Sequence, residues 1–337
     1  MALSKKRTFV ILGIVFVSIG LVSYLLYVKP TQRSGNPIHH MHDGGMADEF
    51  LALIRKQDPG VAFKRLREKI DTNPAMLSSC HSIVHAMGHE AYKKYGDLAT
   101  AAGYEDDICN SGYLHGVIES YFEHVSDPSA VMKTTCNRYT PGRFAAWECY
   151  HGVGHGVMSF TKRDLSRSLD LCDSYEDPLA SSSCTNGVFM EYFNMDEHEG
   201  RSEFQTDRGP FDRCDMQKPR RKNDCFLYSP QYYLTMHRDD YVGALKWCIG
   251  AKKPFHLPCS YGVGNQAIKH HIDDPKFVEG VCMKGRPEQV EPCIDGMVGL
   301  YINHFGSLEP AKALCPRLLE RNQKVCDAVV KARSVLF

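Results

Sequence analysis

From Thr8 to Val28 the chain carries no charge, and only glycine, serine, threonine and tyrosine interrupt its aliphatic and aromatic side chains. At about 1.5 Å per residue such a run crosses a hydrocarbon layer of roughly 30 Å. Lys5, Lys6 and Arg7 precede it, and only Lys29 and Arg33 follow closely. The positive-inside bias therefore predicts a cytoplasmic N-terminus at 1–7, a transmembrane signal anchor at 8–28, and the bulk of the chain outside, in a periplasm or at a cell surface. The run ends Leu-Leu-Tyr-Val-Lys-Pro, a poor site for signal cleavage. Residues 29–46 are rich in proline, glycine and polar side chains and read as a flexible tether.

Beyond the tether the pattern becomes helical and scarcely stops, which predicts an all-α, extracytoplasmic repeat domain over 47–337. The segments fall into register on their cysteines. Leading cysteines stand at 80, 109, 149, 184, 225, 259, 293 and 326, and five of the eight open a Cys-x-x-Gly motif. From Cys225 onward their spacing is almost constant; before it the spacing wanders, as loop insertions would make it. The regular period, about 34 residues, is that of a helix-pair repeat, and stacked pairs form an α-solenoid in which each pair buries its apolar face against the next. The glycine three positions into each opening helix costs about 1 kcal/mol against alanine, so its recurrence predicts close helix–helix approach.

Between the leading segments lie shorter helical ones, several opening on an aspartate suited to N-capping and closing on a cysteine. The closing cysteines pair by spacing with the next leading ones: Cys136 with Cys149, Cys172 with Cys184, Cys214 with Cys225, Cys248 with Cys259, Cys282 with Cys293 and Cys315 with Cys326. Every one of these pairs brackets a similarly short stretch of chain. Cys80 and Cys109 remain for each other. Bridges over such loops could add on the order of 2–3 kcal/mol each, and fourteen cysteines suit an oxidising compartment. Period and stapling resemble the Sel1-like and tetratricopeptide helical repeats in architecture.

Sixteen histidines then stand out, because they gather in the early repeats. His81, His85 and His89 are four apart on one helix face, as are His151 and His155. His115 and His155 each lie six positions after a leading cysteine, and Glu119 lies one turn beyond His115. Stacked in register, His85, His89, His115, His151 and His155 would project with Glu119 towards one point, a donor set for a transition metal such as zinc, copper or iron. The same residues could instead form a hydrogen-bonded polar ladder, or do acid–base work without a metal. A second cluster, His39, His40, Met41 and His42, joins imidazole to thioether in the tether and favours copper.

Lysine plus arginine equals aspartate plus glutamate, at 40 each. No arginine-rich run accompanies this balance, which argues against a nucleic-acid partner. No HExxH, GxSxG or Walker loop occurs, so no named hydrolase or nucleotide chemistry is indicated. Two function classes are left. One is a membrane-anchored, extracytoplasmic metal-binding protein, enzyme or not. The other is a scaffold whose concave face grips a peptide or an envelope protein.

Overall fold

The structure, a computed structural model, describes residues 44–193 and 208–337. The expected anchor at 8–28 and the His39–His42 cluster lie outside these residues. No helix among the described residues is long and apolar enough to cross a membrane.

All regular structure among the described residues is helical. Helices α1 (Gly44–Lys56) and α2 (Pro59–Thr72) lead into α3 (Leu77–Tyr95), the first to carry a leading cysteine. The other leading segments form α5 (Gly112–His124), α7 (Phe144–Phe160), α9 (Pro178–Phe193), α11 (Pro219–Tyr228) with its continuation α12 (Pro230–Met236), α14 (His256–His270), α16 (Pro287–Phe305) and α18 (Glu320–Arg333). Between them run the short helices α4 (Leu98–Ala102), α6 (Pro128–Thr135), α8 (Leu165–Cys172), α10 (Pro210–Asp215), α13 (Tyr241–Cys248), α15 (Pro275–Cys282) and α17 (Glu309–Leu314).

Aspartate starts the short helices for a definite reason. Asp164 accepts the Arg167 N–H at 3.0 Å, Asp240 the Gly243 N–H at 2.8 Å and Asp274 the Phe277 N–H at 3.0 Å, each satisfying a backbone donor with no partner inside the helix.

Seven disulfides join Cys80–Cys109, Cys136–Cys149, Cys172–Cys184, Cys214–Cys225, Cys248–Cys259, Cys282–Cys293 and Cys315–Cys326, and no cysteine is free. Their Cα–Cα distances span only 5.4–5.8 Å; six of them join cysteines 11–13 positions apart, and Cys80–Cys109 joins cysteines 29 apart. This complement of bridges suits an extracytoplasmic or secreted protein.

Each long helix packs on the next, and one apolar cluster runs from Phe50 to Val329. Two glycine contacts set histidine-bearing helices against their neighbours. A Cβ at Gly116 on α5 would overlap the carbonyl oxygen of His85 on α3, and one at Gly187 on α9 would overlap that of His151 on α7. At both places backbone touches backbone, which no larger residue permits.

The array departs from an open solenoid by turning back on itself. Helix α14 packs against α3. The Cys109 and Asn110 N–H groups donate to the His304 carbonyl at 2.7 and 3.3 Å, and the Phe144 N–H to that of Leu336 at 2.9 Å. The inner faces of the long helices consequently line a shared cavity.

A candidate metal centre on the histidine-bearing helices

Helix α7 has the sequence FAAWECYHGVGHGVMSF and buries Glu148, His151 and His155. These three lie at i, i+3 and i+7, one face of a helix. His115 comes to meet them from α5, fully buried, and one ligand atom from each of His115, His151 and His155 lies within 4.8 Å of the others. The imidazole centroids are 5.0 Å (His115–His151), 5.4 Å (His115–His155) and 5.0 Å (His151–His155) apart.

Each of these imidazoles has one nitrogen engaged and one without a hydrogen-bond partner. His115 Nε2 is 2.9 Å from Glu148 Oε2, both side chains being inaccessible to solvent. His155 Nδ1 is 3.2 Å from Glu191 Oε2, and Glu191 also pairs with Arg163. His151 Nε2 is 3.3 Å from Met190 Sδ. His115 Nδ1, His151 Nδ1 and His155 Nε2 are left buried and unpartnered. A polar ladder would satisfy such atoms, because each buried polar group without a partner costs on the order of 1–3 kcal/mol.

A second group stands beside the first and is half-exposed. Glu119 Oε2 lies 3.3 Å from His85 Nε2 and 3.4 Å from His89 Nε2, while His89 Nδ1 is 2.5 Å from Ser120 Oγ. The His85 and His155 centroids are 6.3 Å apart. The single point expected from the sequence is therefore two adjacent groups: Glu119 serves His85 and His89, while in the buried group Glu148 serves His115, Glu191 serves His155 and Met190 meets His151. His81 belongs to neither; its Nδ1–H donates to the Cys109 carbonyl at 2.8 Å.

Charge states follow from burial and neighbours. Burial, reinforced by the other imidazoles, holds His115 and His151 well below the ordinary histidine range, so both are neutral, the ligating form. Burial lowers His85 too. For His89 burial is outweighed by Glu119, Glu123 and Glu191, and its pKa rises. Burial pushes Glu148 well above the carboxylate range, with Asp107 adding to the effect. For Glu191 burial is overcome by His155 and Arg163, which draw it down to about 2.

The sequence reading missed Glu148 and Glu191 as partners. Glu148 had a signal, an acid one position before a leading cysteine and on the histidine face. Glu191 had a weaker one, standing beside Met190, which takes the position six after Cys184. A third potential group, Cys80, Cys109 and His304, is disqualified because its thiols are joined in a disulfide. No family model, curated protein or solved structure matches the chain.

Proposed function

We propose that this is an extracytoplasmic protein that binds a transition metal through His115, His151 and His155, with His85, His89 and Glu119 as a second, more open donor set. The carrying observation is the buried, unpartnered nitrogen on each of the three imidazoles, opposite a nitrogen already engaged by Glu148, Met190 or Glu191. Metal-ligating histidines commonly give their other nitrogen to a carboxylate or carbonyl, which sets tautomer and ring orientation. One proton lies between His115 and Glu148. An ion at Nδ1 would favour it on the imidazole and restore Glu148 to the carboxylate that its burial otherwise disfavours.

Three imidazole ligands suit zinc or copper and leave a coordination position for water. Two imidazoles and a carboxylate are the set that iron(II) takes with open positions. An open position would support Lewis-acid chemistry, so an enzymatic role rests on the same residues. The membrane anchor at 8–28 and the repeat origin of the array belong to this reading on sequence grounds, namely the long uncharged run and the cysteine register.

The test is metal analysis of protein purified without a histidine tag and reconstituted in turn with zinc, copper, iron and nickel. Bound metal that is lost in His115→Ala and His155→Ala, and kept in His271→Ala, is the expected result. No retained metal from any of the four would overturn the reading.

A further inference from the structure

The closed array encloses a cavity of ≈ 90 Å³, counted as room for the centres of water molecules. A single water needs roughly 10–15 Å³ on that measure, so the space suits several waters or a small organic molecule. Its histidine side is formed by His81 and His151. Lys269 on α14 and Arg333 at the end of α18 also line it, with the aromatic rings of Trp147 and Tyr228. No aspartate or glutamate is among the described lining residues.

Two basic side chains facing a cavity with no acid among its described lining residues make that lining cationic. Arg333 donates to Asn303 Oδ1 at 2.8 Å and to the Tyr261 hydroxyl at 3.1 Å, neutral acceptors that orient the guanidinium without cancelling its charge. A Cβ at Gly299 would stand 2.7 Å from Arg333 Nη2 and 2.7 Å from the Tyr261 hydroxyl, so glycine at this position makes room for the guanidinium. Acids stand behind the wall: Asp224 accepts from Asn186, Glu191 acts on Lys269 and Asp295 on Arg333 through their charges. Burial brings Lys269 down to about 8, still largely protonated at neutral pH. Two wall residues, Asn110 and His304, are 9 % and 5 % exposed, and each has a side-chain atom without a partner. Unsatisfied polar atoms around a space of this size are what a ligand would satisfy.

We propose that this cavity binds a small organic carboxylate with a flat apolar body, its anionic end held by Lys269 and Arg333 and its body against Trp147 and Tyr228. The proposal stands on the cavity's own walls and does not require a metal at the histidines.

The test is calorimetric titration of the full chain, after chelator treatment, with benzoate, acetate and the neutral isostere benzamide. Benzoate is expected to bind at least about tenfold more tightly than benzamide, as charge-assisted hydrogen bonds to two cations require. Lys269→Met and Arg333→Met are each expected to weaken benzoate by about tenfold or more. Equal affinity for benzoate and benzamide, benzoate affinity unchanged in both variants, or no binding of either acid would overturn the proposal. The wild-type comparison of the two isosteres needs no variant to fold. Metal content, measured on the untreated protein, reports separately on the histidines.

Discussion

The two halves of the closed array share a scaffold and differ in what it presents inward. In α5 and α7 the position six after the leading cysteine holds His115 and His155. In α9 it holds Met190, and in the later helices Gln231, Asn265 and Gly299. The staples do not register this difference: Cys136–Cys149 and Cys282–Cys293 have Cα–Cα distances of 5.8 and 5.5 Å. Cysteine and glycine positions thus carry the architecture, while one inward register position is free to carry imidazole, thioether, amide or nothing. The glycine case has its own use, because the space at Gly299 is where Arg333 enters.

The sharpest way to break this contrast is to alter the inward position in each half. His115→Ala combined with His155→Ala is expected to weaken metal binding by more than about 100-fold, whereas Gln231→Ala combined with Asn265→Ala leaves it unchanged; metal competition titrations read both. Equal losses would mean that the halves are not specialised. Glu148→Gln sharpens the point. Loss of the carboxylate behind His115 is expected to reduce metal affinity by about 10–100-fold, while the metal-free protein melts at the same or a higher temperature because a buried acid has been removed.

The shared scaffold predicts the reverse pattern. Replacing Cys136 and Cys149 by serine, or Cys282 and Cys293, is expected to cost about 3 kcal/mol in either half by denaturant unfolding. Only the first pair of changes should also reduce metal affinity, because Cys149 is on the helix of His151 and His155.

Acid distinguishes the halves in another way. Burial pushes His304 down to about 4, against about 6.5 in an unfolded chain. Between those values the unfolded chain takes up a proton that the folded chain refuses, so stability falls as pH drops from about 6.5 to about 4, and this loss stops below that. The expected contribution is on the order of 3 kcal/mol. His304→Gln should flatten the slope by that amount, with or without metal, in pH-dependent denaturation curves. The smallest effect tests the caps: Asp164→Ala and Asp274→Ala should each cost about 1 kcal/mol, equally in the two halves.

Much of the local structure was legible because its causes are local. An aspartate capping a short helix acts within a single turn, and each closing cysteine is confined near its partner by the short loop between them. Helical spacing likewise placed His85 with His89 and His151 with His155. The division of the histidines between Glu119, Glu148 and Glu191 was not legible, for the opposite reason. Which carboxylate meets which imidazole depends on the axial offset between neighbouring helices, and that offset is set where Gly116 meets the His85 carbonyl and Gly187 that of His151.

By itself, then, the sequence determined the helices, their caps, the cysteine register and the gathering of histidine in the early units. Those features arise from interactions spanning a turn or a short loop. Only the tertiary structure decided that the array closes, that the histidines divide into two groups with different acids, and that Lys269 and Arg333 share a cavity with His151. These outcomes depend on contacts between residues far apart in the chain, such as Cys109 with His304 and Phe144 with Leu336, and no single stretch of chain contains them.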